Sequence, residues 1–239
     1  MQEKGEANPF RWDLEDADLG GNYEIMGKKV GLRTEKEQFS GDVPEAPHKE
    51  FVIRSPKGEQ QTHEEMKQGL ALLNELKNDY DIRLPWLAAV RGDRSYLVVG
   101  RVQGEDLFDA VKHPDDRVVQ EFEDNVVNWL RYFEEKSTQG GKYLRDAVGQ
   151  HQYVYGKAKG DTEAHVYLVD LDFDIGEVKV ENPETLQPIY DRYHWLAIET
   201  RLAEERSGQT LHRARRALFD IAERLPEDVQ KMILSEISG

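Results

Sequence analysis

The sequence contains no cysteine. That absence excludes disulfide staples, thiolate nucleophiles, and zinc or iron–sulfur sites built on cysteine. Long apolar runs are missing too, and no stretch approaches the roughly 20 residues that a membrane-crossing helix needs. No Walker A loop, G-x-S-x-G elbow or H-E-x-x-H pair occurs, and the histidines are scattered rather than set at zinc-binding spacing. Positive charge is in short supply: 32 Lys and Arg face 47 Asp and Glu, for a formal net charge of -15. Such a surface repels nucleic acid over most of its area. The basic cluster Arg213, Arg215 and Arg216 reads as a solvated helix face. Residues 1–18 are polar and acidic, without the apolar core of a secretion signal. They are expected to form a loose arm, and the expected location is cytoplasmic with no membrane partner.

What is present is enough apolar material for a core. The 239 residues are 38% hydrophobic, which suits one large domain or two small lobes. Two short strands are expected between Asn22 and Thr34 with a turn at Gly27-Lys28, then a loop over 35–48, then a strand at Glu50–Arg54. Thr62–Asn78 carries the clearest early helical pattern. Thr62 and Glu65 form a capping box, and Met66, Leu70, Leu73 and Leu76 recur on one face. Leu84–Val90 and Ser95–Val102 read as a hairpin about Gly92-Asp93. Glu105–Val111 reads as a short helix and Asp116–Lys136 as a long amphipathic one. A second hairpin pairs Gln152–Tyr155 with His165–Asp170. Three helices follow, over Ile189–Glu205, Thr210–Arg224 and Glu227–Ile237. His194-Trp195 is expected in the core or an interface. The strand-rich start and helical end predict an α+β protein of two lobes, residues 1–102 and 103–239.

This order resembles the bilobal protein-kinase-like fold, with a small antiparallel-sheet N-lobe and a mostly helical C-lobe, and is similar above all to its aminoglycoside and small-molecule phosphotransferase branch. The likeness spans roughly residues 22–180. Phe51-Val52-Ile53-Arg54 stands where the family has a strand ending in lysine, so the resemblance implies that Arg54, or Lys57 in its stead, contacts ATP phosphates. Glu65, at the edge of the apolar helix face, would hold that cation. Tyr96–Leu107 resembles the hinge whose backbone binds adenine, which assigns Gly100 and Val102 to the nucleotide. Leu144-Arg145-Asp146 falls where the family has its catalytic H-R-D, making Asp146 the residue that orients the acceptor hydroxyl. The asparagine expected five residues later is replaced by His151, flanked by Gln150 and Gln152. Magnesium prefers oxygen to imidazole.

Val166–Asp174 is similar to the family's D-F-G strand and loop. Asp170 matches the metal-binding aspartate of aminoglycoside-type members, and Asp172-Phe173 resembles the D-F of protein kinases. Three aspartates in five residues repel one another unless a cation or solvent relieves them. The resemblance therefore implies ATP and Mg2+ as cofactors, with Asp170, Asp172, Gln150 and His151 as metal-ligand candidates and a small hydroxyl-bearing molecule as substrate. Since the glycine-rich phosphate loop is missing, the alternative is a pseudokinase that senses nucleotide or binds a protein partner.

Overall fold

The computed structural model describes residues 63–85, 87–91, 95–100, 102–112, 115–145, 148–158, 160–170 and 174–238, and strand segments at 10–11, 24–25, 34–40 and 50–56. The chain is a mixed α+β protein. Its first sheet has the order β1-β5-β6-β4-β3-β2, from Phe10–Arg11 (β1), Glu24–Ile25 (β2), Thr34–Ser40 (β3), Glu50–Pro56 (β4), Leu87–Arg91 (β5) and Ser95–Gly100 (β6). All neighbours run antiparallel except β1, which lies parallel to β5. Between β4 and β5 the chain forms α1 (His63–Asp79), which packs on β5 and β6. Its Leu70, Leu73 and Leu76 are buried, as their helical spacing requires.

Residues 35–40 lay within the expected loop, yet they belong to Thr34–Ser40, a strand bonded along its length to β4. Only Phe39 in that segment is large and apolar. A ladder of backbone hydrogen bonds needs no apolar side chains, so hydrophobic periodicity does not reveal it. The turn expected at Gly27-Lys28 and the capping residue Thr62 lie outside the described residues.

From residue 103 onwards the strands pair only among themselves. Gln103–Asp106 (β7), Tyr153–Lys157 (β9) and His165–Leu168 (β10) form one small sheet, ordered β10-β9-β7. Gly141–Leu144 (β8) and Ile175–Val178 (β11) form another. The short helix expected from Glu105 begins later, as α2 (Leu107–Ala110), because Asp106 accepts from the Phe108 N–H at 2.8 Å and caps it.

Helix α3 (Asp116–Gln139) is the spine of this part, followed by α4 (Gln187–Ser207), α5 (His212–Ala222) and α6 (Glu227–Ile237). Asp115 caps α3, and Gly140, at φ 78°, ends it. The buried face of α3 carries Phe122, Val126, Trp129, Leu130 and Phe133. Trp129 and Phe133 stack with centroids 5.4 Å apart, and the Trp129 indole N–H donates to the buried Tyr153 hydroxyl. Helices α4 and α5 pack against α3, and α6 packs against α4. Trp195 is not in the core: it is 48% exposed on α4, while its neighbour His194 lies half-buried beside Glu236. Among the described residues no helix is long and apolar enough to cross a membrane.

Candidate functional site

Of the residues singled out by the sequence, Gln150, His151 and Asp170 lie at the two small sheets, while Arg54, Gly100 and Glu65 belong to the first sheet and α1. In the β8–β11 pair Leu144 stands opposite Ile175, and the next residue, Arg145, donates its N–H to the Asp174 carbonyl at 2.8 Å. The Leu144 N–H donates to the Tyr132 hydroxyl of α3 at 3.1 Å. Asp146 and Ala147 lie outside the described residues, and the chain resumes at Val148 and Gly149. A single 3-10 turn, Gln150–Gln152, then leads into β9.

That turn is tied down from several sides. The Gln152 N–H donates to the Gly149 carbonyl at 2.9 Å, and the Gln152 side-chain oxygen accepts from the Gly149 N–H at 3.1 Å. At Gly149 a Cβ would collide with the His151 ring, so only glycine lets that imidazole lie where it does. Gln150 is 1% exposed. Its amide N–H donates to the Glu199 carbonyl of α4 at 3.0 Å, and its amide oxygen accepts from Arg206 at 2.8 Å. The Arg206 guanidinium in turn lies 3.4 Å from the centroid of the Phe108 ring on α2. Glu199 is 8% exposed, and burial raises its pKa. Hydrogen bonding to Gln150 and the charges of His151 and Arg206 oppose that rise.

The second aspartate segment closes on the same turn. The N–H groups of Val169 and Asp170 both donate to the Gln152 carbonyl, at 2.9 and 3.1 Å. The Leu168 N–H donates to the Arg83 carbonyl at 3.0 Å, which ties β10 to the segment between α1 and β5. Asp170 is half-buried; Asp172 lies outside the described residues.

Three of the four metal-ligand candidates are therefore described. His151 is the exposed member of its turn. The Gln150 oxygen already faces a guanidinium, so a metal ion beside it would meet like charge. Among the described residues no group of three or more histidine, aspartate or glutamate side chains is arranged to hold a metal. Of the nucleotide candidates, Arg54 lies on β4 in register with Lys36 of β3 and Leu97 of β6. Gly100 ends β6 opposite Phe51, and Val102 is half-buried just before β7. Glu65 is exposed on α1 and, with Gln68, Lys142, Asp174 and Glu177, lines a groove of about 390 Å³ between α1 and the β8–β11 pair.

Sequence reasoning missed Tyr143, Glu199 and Arg192, which the β8 pairing and α4 bring towards this region. Comparison with protein families finds no match for the chain, and comparison with curated proteins finds none either.

Proposed function

We propose that the protein is an atypical phosphotransferase of the bilobal kinase-like type, using ATP and magnesium to phosphorylate a small hydroxyl-bearing molecule. One observation carries the reading. Arg145, the residue before Asp146, is bonded to Asp174, and Asp170 is bonded to Gln152 at the end of the next turn. Two segments distant in sequence, each bearing an acidic residue assigned to phosphoryl transfer, thus meet through their backbones. That meeting supports the reading.

The strand order lends further support. Arg54 stands on β4, flanked by β3 and β6, and the helix that follows β4 packs against the sheet. Among the described residues the strands up to Gly100 belong to one sheet and those from Gln103 to others, consistent with a hinge at residues 100–103.

In this reading Arg54, or Lys57, contacts the ATP phosphates, with Glu65 holding the cation. Gly100 and Val102 offer backbone groups to the base. Asp170 and Asp172 supply the hard oxygens that magnesium prefers, while His151 supplies a nitrogen that suits it poorly. The metal would neutralise charge on the transferred phosphoryl group. Asp146 orients the acceptor hydroxyl and takes its proton as the new P–O bond forms and the bond to ADP breaks. Placement and electrostatics account for most of the acceleration.

The pseudokinase alternative is favoured by one specific contact, the guanidinium of Arg206 on the Gln150 oxygen, which removes a candidate metal ligand. Release of ADP with a panel of hydroxyl acceptors separates the two. Asp146→Asn is expected to keep MgATP binding and lose at least tenfold in transfer rate, whereas Asp170→Ala loses both. MgATP binding without transfer to any acceptor would favour the pseudokinase.

A further inference from the structure

Helix α3 carries a polar face besides its apolar one. Glu121, Asp124, Asn125 and Asn128 recur at spacings of three and four residues, so they share one side of the helix over two turns. They form one wall of a cavity of about 320 Å³. Asp81 and Arg83, from the segment between α1 and β5, stand in the other wall. Both walls are fixed to β10. The Glu121 carboxylate accepts from the Val166 N–H at 2.8 Å and pairs with His165 Nδ1 at 2.9 Å, while the Arg83 carbonyl accepts from the Leu168 N–H at 3.0 Å. Ile82, between Asp81 and Arg83, is 0% exposed and anchors that segment in the core. The cavity is therefore preformed, at the small end of the roughly 300–1,000 Å³ that ligand pockets span.

Some groups on these walls are committed and others are not. Glu121 is committed, since Arg117 Nε also holds it at 3.1 Å. Asn125 is 7% exposed; its amide N–H donates to the Glu121 carbonyl at 2.9 Å, and among the described residues its amide oxygen has no donor. A buried amide oxygen without a donor is uncommon and marks a place where a ligand or water completes the bond. One Asp124 oxygen takes the Arg213 guanidinium, and the other has no donor among the described residues. The Asp81 carboxylate has no partner among them, and its backbone sits at φ 55°. Arg83 has no carboxylate partner there either. Its guanidinium lies 5.8 Å from the centroid of the Tyr167 ring and hydrogen-bonds the neutral Tyr167 hydroxyl. The cavity thus presents two carboxylates and an amide oxygen as acceptors and one guanidinium as a charged donor. Among the described residues no three histidine, aspartate or glutamate side chains are arranged to hold a metal, so these acceptors suit the wider-spaced charges of an organic ligand.

We propose that this cavity binds a small zwitterion with two cationic groups and one carboxylate, the chemistry of a free basic amino acid such as lysine. Asp81 and Asp124 each take one ammonium group, with the Asn125 oxygen as a further acceptor. Arg83 takes the carboxylate, which its planar fork matches. A lysine inside a polypeptide presents only one of these three charges, so the fitting source is the free amino acid. The site uses none of the residues placed in phosphoryl transfer, and failure to bind MgATP would leave it standing.

The test is isothermal titration calorimetry and thermal melting with L-lysine, against sodium chloride at equal ionic strength. Lysine is expected to give a saturable heat and to raise the melting temperature beyond the salt control. Cadaverine, which lacks the carboxylate, and norleucine, which lacks the side-chain ammonium, are each expected to bind at least tenfold more weakly. Arg83→Gln is expected to weaken lysine at least tenfold while leaving cadaverine unchanged, and Arg83→Lys to restore part of the loss. Asp81→Asn is expected to weaken lysine at least tenfold as well. Asparagine tolerates the left-handed backbone at this position, so this variant carries the test if Arg83→Gln does not fold. A response to millimolar lysine no larger than that to salt overturns the site. Lysine binding undiminished in the variants overturns it too, as does cadaverine binding as tightly as lysine.

Discussion

Two sets of arginines in the C-terminal half differ in what they are used for. Arg213 and Arg215 stand together in the sequence at the start of α5, and both are spent on structure. Arg215 grips the Glu204 carboxylate with Nε at 2.8 Å and Nη2 at 2.7 Å, and donates to the Ile237 carbonyl at 2.5 Å. Arg213 holds Glu123 through Nε at 2.9 Å and Asp124 through Nη1 at 2.5 Å. Arg145 and Arg192 are far apart in the sequence, yet the charges of both act on the buried Tyr143 hydroxyl. A run of like charge along a chain says little about binding, because the fold can consume it. Charge that the fold assembles from distant segments says more.

Substitutions can break or sharpen that contrast. The largest effect is expected from Arg215→Ala, which leaves the largely buried Glu204 carboxylate with only the Leu211 N–H and should cost about 3 kcal/mol in urea unfolding. A cost below about 1 kcal/mol would show that Arg215 is no more committed than Arg192. Gly176→Ala drives a methyl into Tyr143 and Arg145 and is expected to destabilise by about 1–3 kcal/mol, read from the same transition. Arg213→Ala, at a more exposed position, should cost about 1 kcal/mol. Arg192→Gln is expected to change stability by no more than about 0.5 kcal/mol. A large loss there would mean that its guanidinium is structural after all.

The last test concerns slope. Burial raises the folded-state pKa of Glu199 above its unfolded value, so its contribution to stability is full below the ordinary glutamate range. That contribution is lost as pH rises through the raised pKa. Glu199→Gln is expected to remove this component from the denaturation midpoint plotted against pH. An unchanged slope would contradict the assignment.

Helices were the legible part of the fold. In α1 and α3 apolar residues recur every three or four positions over many turns, and that repetition identifies both the element and its buried face. The β9–β10 hairpin was legible from its runs of tyrosine, valine and leucine on either side of a polar, glycine-containing connection. Strands β7, β8 and β11 were not. Each has only four residues, too few to establish a period of two, and β7, β8 and β11 all contain glycine. Their pairing is set by tertiary context.

The site follows the same division. Asp170 and the Gln150–Gln152 turn could be picked out because carboxylates and amides suit metal and phosphate chemistry. Which of the three turn residues faces solvent could not, since that depends on Glu199 and Arg206, residues of a helix much later in the chain. Tyr143 and Arg145 share a face only once β8 exists, and nothing in the sequence of α4 marks Arg192 as their neighbour.

Thermal melting with and without MgATP bears most directly on the phosphotransferase reading. A nucleotide that binds only the folded chain stabilises it by about 2.7 kcal/mol at a hundredfold excess over its dissociation constant. A rise that requires magnesium and vanishes in Asp170→Ala is the expected result. No rise at millimolar MgATP in the wild type would contradict the reading.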